Sequence, residues 1–160
     1  MEENEKEIKD FFECMGEIWR DITAIEFLMR VCIAKKQNEI AKFPKPPYIK
    51  GDVYQDYPKS FSILLFGEVV GQFSKHFPQI TIPQELELVD LRNAMAHGCI
   101  ARINHSKTDE LIKFRKQRDD TLKIEFSMPL EMGRIKQIRQ SLRELRRHIA
   151  LEASDSKNNK

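Results

Sequence analysis

Cysteine is scarce in this chain of 160 residues: Cys14, Cys32 and Cys99 are an odd number with no CxxC spacing. That excludes a disulfide framework and a thiolate zinc site, and it predicts free thiols in a reducing compartment. Charge of one sign is also missing, because 27 Lys and Arg against 25 Asp and Glu leave a net +2. No global field draws the protein to nucleic acid, so any such affinity must come from a local patch. No apolar run approaches the roughly 20 residues that a membrane span requires. The opening "MEENEKEIKD" is acidic and polar, unlike a secretory signal, which predicts a cytoplasmic protein without membrane attachment. The segment "GEVVG" has neither the spacing nor the lysine of a phosphate-binding loop, and no nucleophile elbow occurs. His76, His105 and His148 lack metal-ligand spacing to one another or to a cysteine, so no metal and no cofactor is expected.

The residues that are present are those of one globular domain. Apolar residues make up 41% and charged residues 32%, and the length suffices for one core. Ile8, Phe11, Phe12, Met15, Ile18, Trp19, Ile22, Ile25 and Met29 recur at spacings of three and four. That pattern predicts an amphipathic helix from about Glu5 to the lysines at 35 and 36 or beyond. Leu28, Val31, Cys32 and Ile33 make its second half apolar on most sides, so it needs neighbours on more than one face, from the domain or from a second copy. Four prolines and a glycine between 43 and 60 then predict a long loop. The cluster of Tyr48, Tyr54 and Tyr57 with Lys45, Lys50 and Lys59 in that loop reads more simply as aromatics tucked on the domain than as a base-stacking platform.

Ser60 is a natural cap for a second helix over "FSILLFGEVVGQFSKHF", in which Gly67 and Gly71 share a face and predict close approach of another helix. A third helix is expected from about Gln84 to His97, closed by Gly98 in the position that favours a left-handed cap. Alternation over Leu111–Arg115 and Leu122–Phe126, with turn-like Gln117–Asp120 between, predicts a β-hairpin. A last helix begins near Pro129, with Ile135, Ile138, Leu142, Leu145 and Ile149 on one stripe. Arg134, Lys136, Arg139, Arg143, Arg146 and Arg147 lie outside that stripe and read as a solvated face, the alternative being contact with RNA phosphates. The expected fold is mainly α: four helices with a small β-hairpin insertion, as one domain over 1–152, and a disordered tail over 153–160.

The run "LRNAMAHG", residues 91–98, concentrates the chemistry. Positions 92 and 97 lie about 140° apart on a helix, but arginine is long enough to swing and His97 sits at the helix end. Histidine is the side chain suited to exchange a proton near neutral pH, and arginine offers a fork of donors matched to phosphate oxygens. The plain alternative is a surface arginine and a C-terminal capping histidine. The string Arg92-Asn93-Ala94-Met95-Ala96-His97, followed by Gly98, resembles the active-site signature of the HEPN superfamily: arginine, a polar residue, three variable residues and histidine. The order of a long first helix, a second helix, the motif helix and a final helix is similar to the HEPN four-helix plan over most of the chain.

That resemblance implies a metal-independent endoribonuclease, active as a homodimer whose two motifs form one composite cleft. It implies that His97 transfers the proton of the ribose 2′-hydroxyl, that Arg92 holds the scissile phosphate and that Asn93 positions them. It also implies a polar contributor from the first helix, for which Glu17, Asp21 and Glu26 are the candidates. A toxin or defence role is implied as well, with RNA as substrate and an antitoxin or nucleotidyltransferase as partner. HEPN toxins paired with nucleotidyltransferases often carry a tyrosine two residues after the histidine, and Cys99 stands there instead. A reading from a different class remains beside this one: a non-catalytic helical module that binds a partner or a nucleotide.

Overall fold

A computed structural model describes residues 2–42, 50, 53, 56–62, 64–102 and 108–154. The fold is mainly helical with a small three-stranded antiparallel sheet. In chain order the elements are α1 (Glu2–Lys36), a 3-10 turn (Ile40–Lys42), α2 (Lys59–Ser62), α3 (Phe66–His76), a 3-10 turn (Gln84–Leu86) and α4 (Leu88–His97). Strands β1 (Cys99–Ala101), β2 (Glu110–Lys116) and β3 (Leu122–Pro129) come next, and α5 (Met132–Ser154) closes the chain. The contacts divide into two compact units, Met1–Thr23 with Pro83–Glu144, and Ala24–Ile82 with Leu145–Lys160, so α1 and α5 each contribute to both.

The first unit holds the motif helix and the sheet. Ile18 and Ile22 of α1, Leu91 and Ala94 of α4, Ile112 of β2, and Ile135 and Leu142 of α5 are among its buried side chains. Each helix presents them at spacings of three, four or seven, which is why these segments are helices and why these faces are inside. Glu17 of α1 accepts hydrogen bonds from Arg139 (2.8 Å) and Arg143 (3.1 Å) of α5, and Arg134 donates to the backbone oxygen of Glu85 (3.1 Å). The basic side of α5 is therefore partly engaged within the fold rather than wholly solvated.

In the sheet β2 is central, pairing antiparallel with β1 (Cys99 opposite Ile112) and with β3 (Leu111 opposite Met128). A bulge between Lys113 and Phe114 shifts the register, so that Phe114 faces Ile124. The turn is closed by Gln117 N–H donating to the Thr121 oxygen (2.8 Å), with Asp120 in the left-handed region at φ 62°. The hairpin is longer than its alternation foretold, and β1 joins it as a third strand.

The second unit packs the distal half of α1 with α3 and the distal half of α5. Ile25, Met29, Cys32, Ile33, Val69, Phe73, Leu145 and Ile149 are buried there. Phe73 and Phe77 stack with ring centroids 4.9 Å apart. α1 ends after Lys36 because Asn38 adopts φ 57°, and Glu39 N–H reaches back to the Ala34 oxygen at 2.8 Å, a left-handed helix cap. Arg30 reaches from α1 to the backbone oxygens of Ser60 and Leu64, and the Ser60 hydroxyl donates to the Arg30 oxygen (3.0 Å).

Three local expectations are corrected. Ser60 does not cap a long second helix: it sits inside the short α2, and α3 starts at Phe66 with Leu65 N–H donating to the Glu68 carboxylate (2.9 Å). Gly67 and Gly71 are exposed, and a Cβ at Gly71 would meet nothing within 4 Å, so no helix presses on it among the described residues. The motif helix starts at Leu88, because Glu87 at φ 42° breaks the run and lets both Leu86 and Leu88 turn inward. Two leucines spaced by two lie about 200° apart on a helix and cannot both face one core. Tyr48, Tyr54, His105 and residues 155–160 lie outside the described residues.

Candidate functional site

α4 is a ten-residue helix whose inner face, Leu88, Leu91 and Ala94, is buried and which packs on β2 and β3. Successive positions advance about 100°, which puts Arg92 on one flank of the exposed side and His97 on the other. Asn93 falls between them, about 40° from His97 as an i, i+4 neighbour. Arg92 and Asn93 are half-buried, and Arg92 Nη1 donates to Asn93 Oδ1 at 3.4 Å, a long contact. His97 is the last residue of α4 and its ring is exposed. Asp90, also exposed, stands seven positions earlier on the same side as His97 and was not singled out by the motif.

Gly98 sets the path of the chain beyond the helix. Its N–H donates to the Ala94 oxygen (2.7 Å), and its backbone is extended (φ −86°, ψ −174°) rather than left-handed as the sequence predicted. A glycine is required for space instead. A Cβ there would lie 2.4 Å from the Ala94 oxygen and 2.6 Å from the Ile112 oxygen. The chain thus leaves the helix straight into β1, with Cys99 opposite Ile112, and His97 stands at a helix-to-strand junction. Cys99 is an exposed thiol two residues beyond it.

The first-helix candidates separate. Glu17 is held by Arg139 and Arg143, and its bonds are those of a structural ion pair. Glu26 belongs to the second unit and pairs with Arg30 at 2.8 Å. Asp21 lies in the same unit as α4 and has no exposed surface, with Arg20 Nε 3.7 Å from its Oδ1. A buried carboxylate needs compensating charge or hydrogen bonds, and Arg20 stands beside this one; of the three candidates Asp21 alone is fully buried within the unit that holds α4.

Among the described residues no three His, Cys, Asp or Glu side chains are gathered as metal ligands would be, and no helix is long and apolar enough to cross a membrane. Comparison with protein-family models, curated proteins and solved structures gives no match to this chain.

Proposed function

We propose that this protein is a metal-independent endoribonuclease of the HEPN type, working as a homodimer with Arg92, Asn93 and His97 at its active centre. The observation that carries the reading is the end of α4: an exposed imidazole at a helix-to-strand junction, with an arginine that donates at 3.4 Å to the asparagine lying between them. His97 accepts the proton of a ribose 2′-hydroxyl, and the freed oxygen attacks the neighbouring phosphorus. The P–O5′ bond breaks, the 5′-oxygen takes a proton from the imidazolium, and the product carries a 2′,3′-cyclic phosphate. Arg92 donates to the non-bridging oxygens as charge accumulates on them. Asn93 holds the guanidinium in place, and Asp21 is the first-helix contributor. Four helices arranged as in HEPN proteins, a place in the cytoplasm, and a toxin or defence role restrained by an antitoxin or nucleotidyltransferase partner belong to the same proposal.

A helical interaction module is the second reading, and the exposed Phe114, Leu122 and Ile124 of the sheet favour it. One experiment separates the two. Wild type, Arg92→Ala and His97→Ala are incubated with a mixed RNA pool in EDTA, with circular dichroism as the check on folding. Cleavage by wild type alone, leaving cyclic phosphate ends, is the expected result. Equal cleavage by folded His97→Ala, or none by folded wild type, refutes the mechanism.

A further inference from the structure

We propose that α1 carries a recognition stripe distinct from its core face, and that its occupant is the same stripe of a second copy of this chain, packed antiparallel. Ile8, Phe12, Gly16, Trp19 and Thr23 recur at spacings of four, four, three and four. They fall within an arc of about 80°, centred roughly 120° round the helix from the buried Cys14, Ile18 and Ile22. Ile8 is 52%, Phe12 64% and Trp19 38% exposed. Among the described side chains every one from Glu5 to Asp10 is exposed, and the first buried one is Cys14. A helical arm this exposed is marginal in water, yet this one carries large apolar residues along one line.

Two members of that line are shaped for burial. Gly16 is exposed, and a Cβ there would meet nothing within 4 Å, so nothing described in the chain asks for glycine. Glycine inside a helix weakens it, and its use here is explained by another helix crossing closely. The Thr23 hydroxyl donates to the Trp19 and Arg20 oxygens of its own helix (3.1 and 3.0 Å), so covering it strands no polar group.

Self-complementarity identifies the occupant. With a two-fold axis passing midway between Phe12 and Gly16, Phe12 of each copy sits against Gly16 of the other, as an isologous interface demands. Glu5 and Arg20 flank opposite ends of the stripe, and Arg20, 3.7 Å from Asp21 of its own chain, keeps more than half of its side chain exposed. Antiparallel packing brings Glu5 of one copy to the end that carries Arg20 of the other, offset by about 4.5 Å along the axis, within reach of an arginine. Parallel packing would set Glu5 against Glu5 and Arg20 against Arg20. Lys9 and Glu13 on the same flank are paired internally at 3.8 Å and add no net charge. The stripe is short beside the ~800 Å² per partner of a standard interface, so dissociation in the micromolar range is expected.

The interface rests on the homodimer proposed for this protein but not on its chemistry: particle mass tests the one and RNA cleavage the other. Sedimentation of the full chain from about 1 to 300 µM should pass from 18.9 kDa to twice that mass. Phe12→Asp and Trp19→Lys should remain at 18.9 kDa throughout while keeping the wild-type helical spectrum. Gly16→Gln should raise the melting temperature of the dilute chain by a few degrees yet weaken the dimer, a pair of effects that a merely structural glycine would not give. Glu5→Arg and Arg20→Glu should each weaken association about tenfold, and the double variant should restore it. A wild type that stays monomeric throughout, or a dimer indifferent to Phe12→Asp and Trp19→Lys, overturns the proposal.

Discussion

Replacing Gly98 by alanine tests the account of how His97 is held. The added methyl carbon would meet two backbone oxygens, of Ala94 at 2.4 Å and of Ile112 at 2.6 Å. Neither belongs to a side chain that can rotate away, so the end of α4 must separate from β2. Forced overpacking costs about 1–3 kcal/mol. Weakening the Gly98–Ala94 hydrogen bond, or one rung of the β1–β2 ladder, adds about 1 kcal/mol. The sum is about 2–4 kcal/mol. For a chain of this size that corresponds to a fall in Tm of roughly 5–15 °C. Urea and thermal unfolding followed by circular dichroism measure both quantities. Gly71→Ala is the matched comparison, because open space surrounds that helical glycine, and it should stabilise by about 1 kcal/mol. A Gly98→Ala variant within about 0.5 kcal/mol of wild type, the usual range for an unconstrained surface change, would refute the close packing of helix end and strand. If RNA cleavage is confirmed, Gly98→Ala should depress it more than the unfolded fraction explains, because the junction that orients the imidazole is the part that moves.

The two thiols for which the structure gives opposite settings should behave oppositely. Cys32 is buried and bonded to the Ile149 oxygen; burial foremost, then the Glu152 carboxylate, push its pKa from 9.0 to about 11, with Lys35 opposing. It should resist alkylation in the folded protein at pH 8, whereas exposed Cys99 should label at once, as mass spectrometry of the digested protein would report. A thiol whose folded pKa is raised favours the fold fully below its unfolded pKa and loses that contribution as pH rises to the folded value. Stability should therefore fall between pH 9 and about 11 in wild type and fall less in Cys32→Val, measured by urea midpoints across that window. Glu17→Gln should cost no more than about 1 kcal/mol, since its arginine partners are partly solvated, and should leave any RNA cleavage unchanged; a loss of cleavage without unfolding would return Glu17 to the active centre.

What the sequence conveyed, and what it withheld, divides along the range of the interactions. α1 and α5 were legible because a helix declares itself through residues three and four apart, and the stripe Ile135, Ile138, Leu142, Leu145 and Ile149 is buried throughout. The hairpin was legible for the same local reason. β1 was not: Cys99, Ile100 and Ala101 carry no alternation of their own and become a strand only because β2, a distant stretch of the chain, offers an edge. Gly98 shows the same limit within one residue. Locally, a glycine after a helix argues for a left-handed cap; the long-range approach of the Ile112 oxygen makes it a spacer with extended backbone. Glu17, Asp21 and Glu26 were equivalent as letters, since the position of a carboxylate in a helix does not say what faces it. Arg139 and Arg143 hold Glu17, Arg20 stands beside Asp21 and Arg30 pairs with Glu26, and Asp21 alone is fully buried in the unit that carries α4. The motif itself is local, and so it could be read, but its geometry is not. Whether the end of α4 can act on a phosphate depends on how firmly a three-residue strand holds the residue after His97, and the alanine at position 98 measures that.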